Sequence, residues 1–212
     1  MTQPLPASDL TLGQLKQQFA LERNDEPDFF TEWQTDLPNL SEFERTYLDQ
    51  VKADFISLGD EPLNEEVVKM SILAPLLSIA GFFRAPLFPK AEVGVELTVA
   101  DEDQFVRGRL DVLVVYQQFW VMAIEAKRRM LALEAGLPQV LFYMLNHPEP
   151  QPVTYGLVTN GSDFRFIKLM NGHYALSDQF TIHRRVNELQ VVVQILKRLG
   201  SLIVQTADEI AA

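Results

Sequence analysis

Apolar residues recur at helical spacing over the first eighty positions and at strand spacing after about ninety. Between Leu12 and Leu21 a short helical pattern is followed by Pro27, Pro38 and several acids, which predicts a loosely packed extension to about residue 40. From Ser41, with Glu44 three residues on as a capping box, Phe43, Tyr47, Val51 and Phe55 fall four apart and predict an amphipathic helix. After the loop GDEP, Asn64 can cap a second helix, with Val67, Ile72, Leu76, Leu77 and Ile79 mostly on one face, Pro75 as a kink and Gly81 as the stop. AEVGVELTVA, FVRGRLDVLVVY and FWVMAIEA then predict three strands in the middle of a sheet. Leu131 to Asn146 returns to helical spacing, with Pro138 tolerable only if the regular helix begins just before it. VTYGLVTN and DFRFIKLM predict two further strands joined by Asn160-Gly161-Ser162, a hairpin signal, and a long helix from Arg184 to about Ala207 closes the chain.

Composition narrows the class. The 212 residues are 47% hydrophobic, enough for a sizeable core. With no cysteine, disulfides and thiolate zinc sites are excluded and a reducing compartment is expected. No apolar run reaches the length that spans a membrane, and MTQPLPASDL lacks the pattern of a signal peptide, so a cytoplasmic protein is expected.

The net charge of -11 argues against a polyanionic partner until its distribution is read. Met1 to Glu66 holds 15 acidic and 4 basic side chains, whereas the rest holds 14 of each. The acidity therefore belongs to the first part, and the second can carry a local basic patch such as Lys127-Arg128-Arg129.

Three charges stand at the ends of otherwise apolar strands: Asp111, Glu125 and Lys127. Period two places Glu125 and Lys127 on one face. If the strands are antiparallel neighbours joined by Tyr116-Gln117-Gln118-Phe119, pairing Val115 with Trp120 sets Asp111 opposite Ile124, beside Glu125. Buried and unpaired, such charges cost several kcal/mol each, on the order of the penalty for an uncompensated ion, so a compensating cation is expected. Asp111, Glu125 and the backbone carbonyl of Ala126 are hard oxygen donors that suit Mg2+ or Mn2+. Lys127 beside them could orient a water or stabilise developing charge, which makes phosphodiester hydrolysis the natural chemistry.

The pattern GRLD at 108–111 with EAK at 125–127 resembles the PD-(D/E)XK nuclease superfamily. Gln139 and Tyr143 match the QxxxY motif that follows EXK in the nuclease domain of the motor subunit of type I restriction enzymes, and Glu65 falls where that family places an acid on its first core helix. Glu66 could serve as well. YGLVTNGSDFRFIKL is similar to the family's late hairpin, so the resemblance covers about residues 62 to 170. Leu110 replaces the proline of the signature, and the chain has no GxxxxGK[ST] loop and too little length for a motor.

The resemblance implies a restriction-endonuclease-like α/β fold, a central mixed sheet flanked by helices, at 61–212, preceded by an acidic, mostly helical extension at 1–60. It implies a Mg2+- or Mn2+-dependent endonuclease acting on DNA in restriction or defence, with a protein partner able to supply motor or specificity functions. Asp111 and Glu125 would bind metal with the Ala126 carbonyl, and Glu65 would hold a metal-bound water. Lys127 would assist attack, and Gln139 with Tyr143 would orient phosphate or the site itself. Arg107, Arg109, Arg128 and Arg129 would contact nucleic acid. The alternative is a catalytically inactive, nuclease-derived module that binds nucleic acid or a partner protein, with the acidic segment as docking surface or as a lid over the basic patch.

Overall fold

In the computed structural model, which describes residues 5–6, 11–58, 63, 65–87, 89–91, 95–99, 104–108, 112–115, 119–123, 133–145 and 152–211, the chain opens with strand β1 (Leu5–Pro6) and helix α1 (Leu12–Phe19). Thr11 and Gln14 cap α1 reciprocally, and Ala20 ends it in the left-handed region. Strand β2 (Glu22–Arg23) follows, then α2 (Glu42–Ser57), opened by the predicted Ser41–Glu44 capping box. The Glu44 carboxylate also takes a hydrogen bond from the Lys197 ammonium, which holds its pKa below the usual carboxylate range.

The second helix is continuous through Pro75 but changes pitch. It runs as α3 (Glu65–Val68), a π-helical turn (Lys69–Leu73) and α4 (Ala74–Ala80). Pro75 has no N–H, and its ring crowds the carbonyl four residues back, so the preceding turn widens and the Ala74 N–H donates to Lys69 O, five back. Gly81, at φ 90°, stops the helix as its position predicts.

Strands β3 (Pro89–Ala91), β4 (Val95–Val99), β5 (Gln104–Gly108), β6 (Val112–Val115) and β7 (Phe119–Ala123) come next. A 3-10 turn (Leu133–Ala135), α5 (Leu137–Leu145), β8 (Val153–Thr159), β9 (Asp163–Met170), β10 (His173–Thr181) and α6 (Leu189–Ala211) complete the order. Pro138 sits at the second position of α5, where its missing N–H costs nothing. The protein is mixed α/β. Among the described residues its main sheet has seven strands in the order β2-β10-β9-β8-β7-β6-β3, with β7 and β8 parallel and most other pairs antiparallel; β1, β5 and β4 form a separate three-stranded sheet. Among the described residues no helix is long and apolar enough to cross a membrane.

Both faces of the main sheet are covered. Tyr155, Leu157, Phe164 and Phe166 point into a core with α2, α4 and α6. Val158, Ile167 and Leu169 point the other way, into a core with α1 and α5. Gly156 lets α5 approach, since a Cβ there would lie 3.0 Å from Met144 Sδ.

Several expectations are corrected. The run 105–116, expected as one strand, is divided between β5 and β6 in different sheets, and β4 also leaves the main sheet. The expected extension is built into the core: Leu15 and Leu21 belong to one cluster, Phe30, Leu40, Leu48, Val51 and Phe55 to the other, and β2 pairs with β10. A boundary at residue 60 therefore does not separate two cores. Leu48, not Phe43 and Tyr47, joins Val51 and Phe55 on the buried face of α2; Phe43 is 71% exposed and stacks on Tyr47 at 6.3 Å. The last helix begins at Leu189 because Ile182 to Glu188 is spent on a turn after β10.

The β8–β9 turn joins the sheet to the helices. Asn160 Oδ1 accepts from the N–H groups of Ser162 and Asp163, and Thr159 Oγ1 accepts from that of Gly161. Gly161 sits at φ +87°, and a Cβ there would meet Phe55 Cζ at 2.6 Å and Val68 Cγ1 at 3.1 Å. Gly161→Ala combines the left-handed penalty with overpacking, so urea denaturation should show a loss of roughly 2–4 kcal/mol. A loss within error would contradict this account of the helix–sheet contact.

Candidate functional site

The strand register decides which sequence positions can meet. β6 and β7 pair Val115 with Phe119, Val114 with Trp120 and Leu113 with Val121, one residue from the expected Val115–Trp120 register. A one-residue slip in register inverts every position of a strand relative to its partner. In the observed register the odd positions of both strands, Leu113, Val115, Phe119, Val121 and Ala123, share one face. β7 pairs in parallel with β8, Phe119 beside Tyr155 and Ala123 beside Thr159. That common face is the one covered by α2, α4 and α6.

At the C-terminal end of β7 three elements come together. Thr159 lies beside Ala123, the Asn160-Gly161-Ser162 turn follows it, and Val68 of α3 packs where a side chain at Gly161 would stand. Glu65, the first residue of α3, is thereby one helical turn from the Gly161 contact.

The expected site residues separate as follows. Asp111, Glu125, Ala126, Lys127, Arg109, Arg128 and Arg129 lie outside the described residues. Arg107 lies on β5, opposite Glu96 and beside Pro6, in the smaller sheet. Gln139 and Tyr143 are one turn apart on α5, on the opposite face of the main sheet from α3. Tyr143 is fully buried and meets Phe142 edge to face at 5.4 Å; Gln139 is half-buried. The structure therefore does not bring Gln139 and Tyr143 to the face that carries Glu65. The cause is composition: α5 is apolar almost all round, so seven of its nine residues are buried and it packs against β7 and β8 from behind. Among the described residues no group of three or more His, Asp and Glu side chains could hold a metal ion.

A second charged cluster has no counterpart in the sequence reading. Lys168 and Tyr155 are cross-strand partners on the same face of β9 and β8. The Lys168 ammonium donates to Glu32 Oε1 at 2.6 Å and to Phe29 O at 2.7 Å, and it lies 5.3 Å from the centre of the Phe29 ring. The Tyr155 hydroxyl donates to the same Glu32 oxygen at 3.0 Å. Side-chain exposure is 9% for Lys168 and 17% for Glu32, so this pair is largely desolvated. Arg198 with Asp36 and Gln194 with Pro38 O continue the attachment along α6. The cluster pins residues 29–38 across the sheet at the Tyr155 end, the opposite end of β8 from Thr159. It is a clasp for the N-terminal segment, remote from the end where α3 begins. A lysine within a strand and a glutamate 136 residues away offer no local signal of pairing.

No family model matches the chain, and no curated protein matches it.

Breaking one side of the clasp leaves the other charge buried. Glu32→Ala should therefore cost roughly 3–5 kcal/mol in chemical denaturation, while the double change Glu32→Leu with Lys168→Met should recover most of that loss. Equal losses in the two variants would show that the charges are not what the site depends on. Burial, and then the nearby Glu32 carboxylate, push the Tyr155 phenol well above its ordinary pKa of about 10. The folded state keeps this proton where the unfolded chain releases it, so stability is complete below pH of about 10 and falls as pH rises further. Tyr155→Phe should flatten the alkaline fall in the urea midpoint, leaving the part due to Tyr174, which burial raises in the same direction. An unchanged alkaline profile would exclude Tyr155 as a contributor.

Proposed function

We propose that this chain is a metal-dependent nuclease of the restriction-endonuclease-like class that hydrolyses phosphodiester bonds in DNA. One observation carries the reading: the odd positions of β6 and β7 share the face on which α3 packs, and the candidate residues Asp111, Glu125 and Lys127 are all odd. A pleat continued by one residue back from Val112 and by four on from Ala123 would set all three on that face, at the end of β7 nearest Glu65. The expected register, by contrast, would have divided Asp111 from Glu125 between two faces.

The donor set suits a hard divalent cation. Asp111, Glu125 and the Ala126 carbonyl would hold Mg2+ or Mn2+, with Glu65 reaching it through water. When bound, such an ion supplies Lewis acidity and lowers the pKa of water. Lys127 orients the attacking water and balances the charge that gathers on the phosphate oxygens. Gln139 and Tyr143, behind the sheet on α5, are assigned to positioning the site itself, since α5 packs against β7 and β8. A role in restriction or defence, and a partner supplying a motor or specificity, come from the family resemblance alone.

Asp111→Ala and Lys127→Ala should each abolish Mg2+-dependent cleavage of plasmid DNA while leaving the thermal unfolding transition in place. Retained cleavage in both folded variants would sink the assignment. A wild-type protein without cleavage or metal binding would favour the non-catalytic module instead.

A further inference from the structure

The turn between β10 and α6, Ile182 to Glu188, is a basic prominence on an otherwise acidic protein. His183, Arg184, Arg185 and Val186 are all exposed, and Val186, at 74%, is the most exposed of the large hydrophobic side chains among the described residues. The backbone beneath them is tied down along its length. The Ile182 N–H donates to Ser162 O, and the His183 N–H to Thr181 Oγ1. The Lys52 ammonium donates to Arg184 O at 2.7 Å, and Asn187 Nδ2 donates to Leu48 O and Asp49 Oδ1. Glu188 accepts from the Thr181 N–H and from Arg184. The loop is thus a rigid mount from which side chains project.

Its position matters as much as its charge. The bond from Ile182 to Ser162 sets the loop beside the Asn160-Gly161-Ser162 turn, and Thr181 pairs with Asp163. The loop therefore stands at the end of the sheet where β7 finishes and α3 begins. β10 lies three strands from β7, a separation of roughly 14 Å at the usual strand spacing. That span corresponds to about four base pairs along a duplex axis.

We infer that the loop 182–188 is a phosphate-contacting surface for the backbone of duplex DNA, flanking the proposed cleavage site. The identity of the polyanion rests on the nuclease reading. Within the loop Arg184 and Arg185 outnumber Glu188 by one, and Lys52, Asp49 and Asp163 border it. Against a whole-chain charge of -11, contact is confined to this mount and to the low-salt range. Arg185 is the side chain most available to a phosphate, because Arg184 is paired with Glu188 and Lys52 is committed to the loop carbonyl.

The test is fluorescence anisotropy of the full chain with labelled duplex DNA in EDTA, titrated at several NaCl concentrations. Arg185→Ala should weaken binding and reduce the slope of log affinity against log salt by about one, and Arg185→Glu should weaken it further. Arg23→Glu, at the opposite end of β10, should leave binding unchanged. Wild-type protein that does not bind, or Arg185→Glu protein that binds as the wild type does, overturns the inference. The nuclease reading fails separately: loss of binding in Arg185→Glu with no metal-dependent cleavage by wild type keeps the loop and removes the enzyme, whereas unaltered binding with cleavage dependent on Asp111 does the reverse.

Discussion

The close approach of Gly161 to Phe55 and Val68 governs how the helices sit on the sheet. The turn needs a left-handed residue at φ +87°, and the space beside it is filled by two side chains from different helices. Any Cβ would force them apart. Because Thr159, two residues earlier, is in parallel register with Ala123 of β7, this contact also sets where α3 begins relative to the end of β7. Helix placement, sheet register and the geometry of the proposed site thus depend on one turn whose own hydrogen bonds are made by Thr159 and Asn160.

The opposite end of the sheet is held by different physics. There Lys168, Glu32 and Tyr155 form a desolvated cluster that binds residues 29–38 down, so the acidic first part of the chain is structural where it is described. Its excess charge is carried on the surface while its apolar residues, Phe30 and Leu40 among them, complete the core over α6 and the sheet. Removal of residues 1–40 would therefore take out core side chains. A lid that detaches without unfolding is incompatible with that packing.

Local chemistry made part of this legible in the sequence. Ser41 with Glu44, Gly81 as a stop, Pro138 in a first turn and the Asn-Gly-Ser hairpin all act within a few residues, and each stands where its pattern predicts. What escaped was non-local or interrupted. β10 lost its alternation to a register shift between Leu176 and Gln179, so it carried no strand signal. The division of 105–116 between two sheets, and the burial of Lys168 by a partner far along the chain, are settled by tertiary packing. The candidate residues themselves were legible as a motif, but the β6–β7 register was not, and the expected hairpin placed it one residue out.

In the proposed site Asp111 and Glu125 would have one common task, metal binding. Calorimetric titration of the full chain with Mn2+ tests this most directly. The account predicts a saturable site close to one ion per chain that is lost in Asp111→Ala and in Glu125→Ala, both still folded. Binding that is absent in the wild type, or that persists unchanged in both variants, would contradict it.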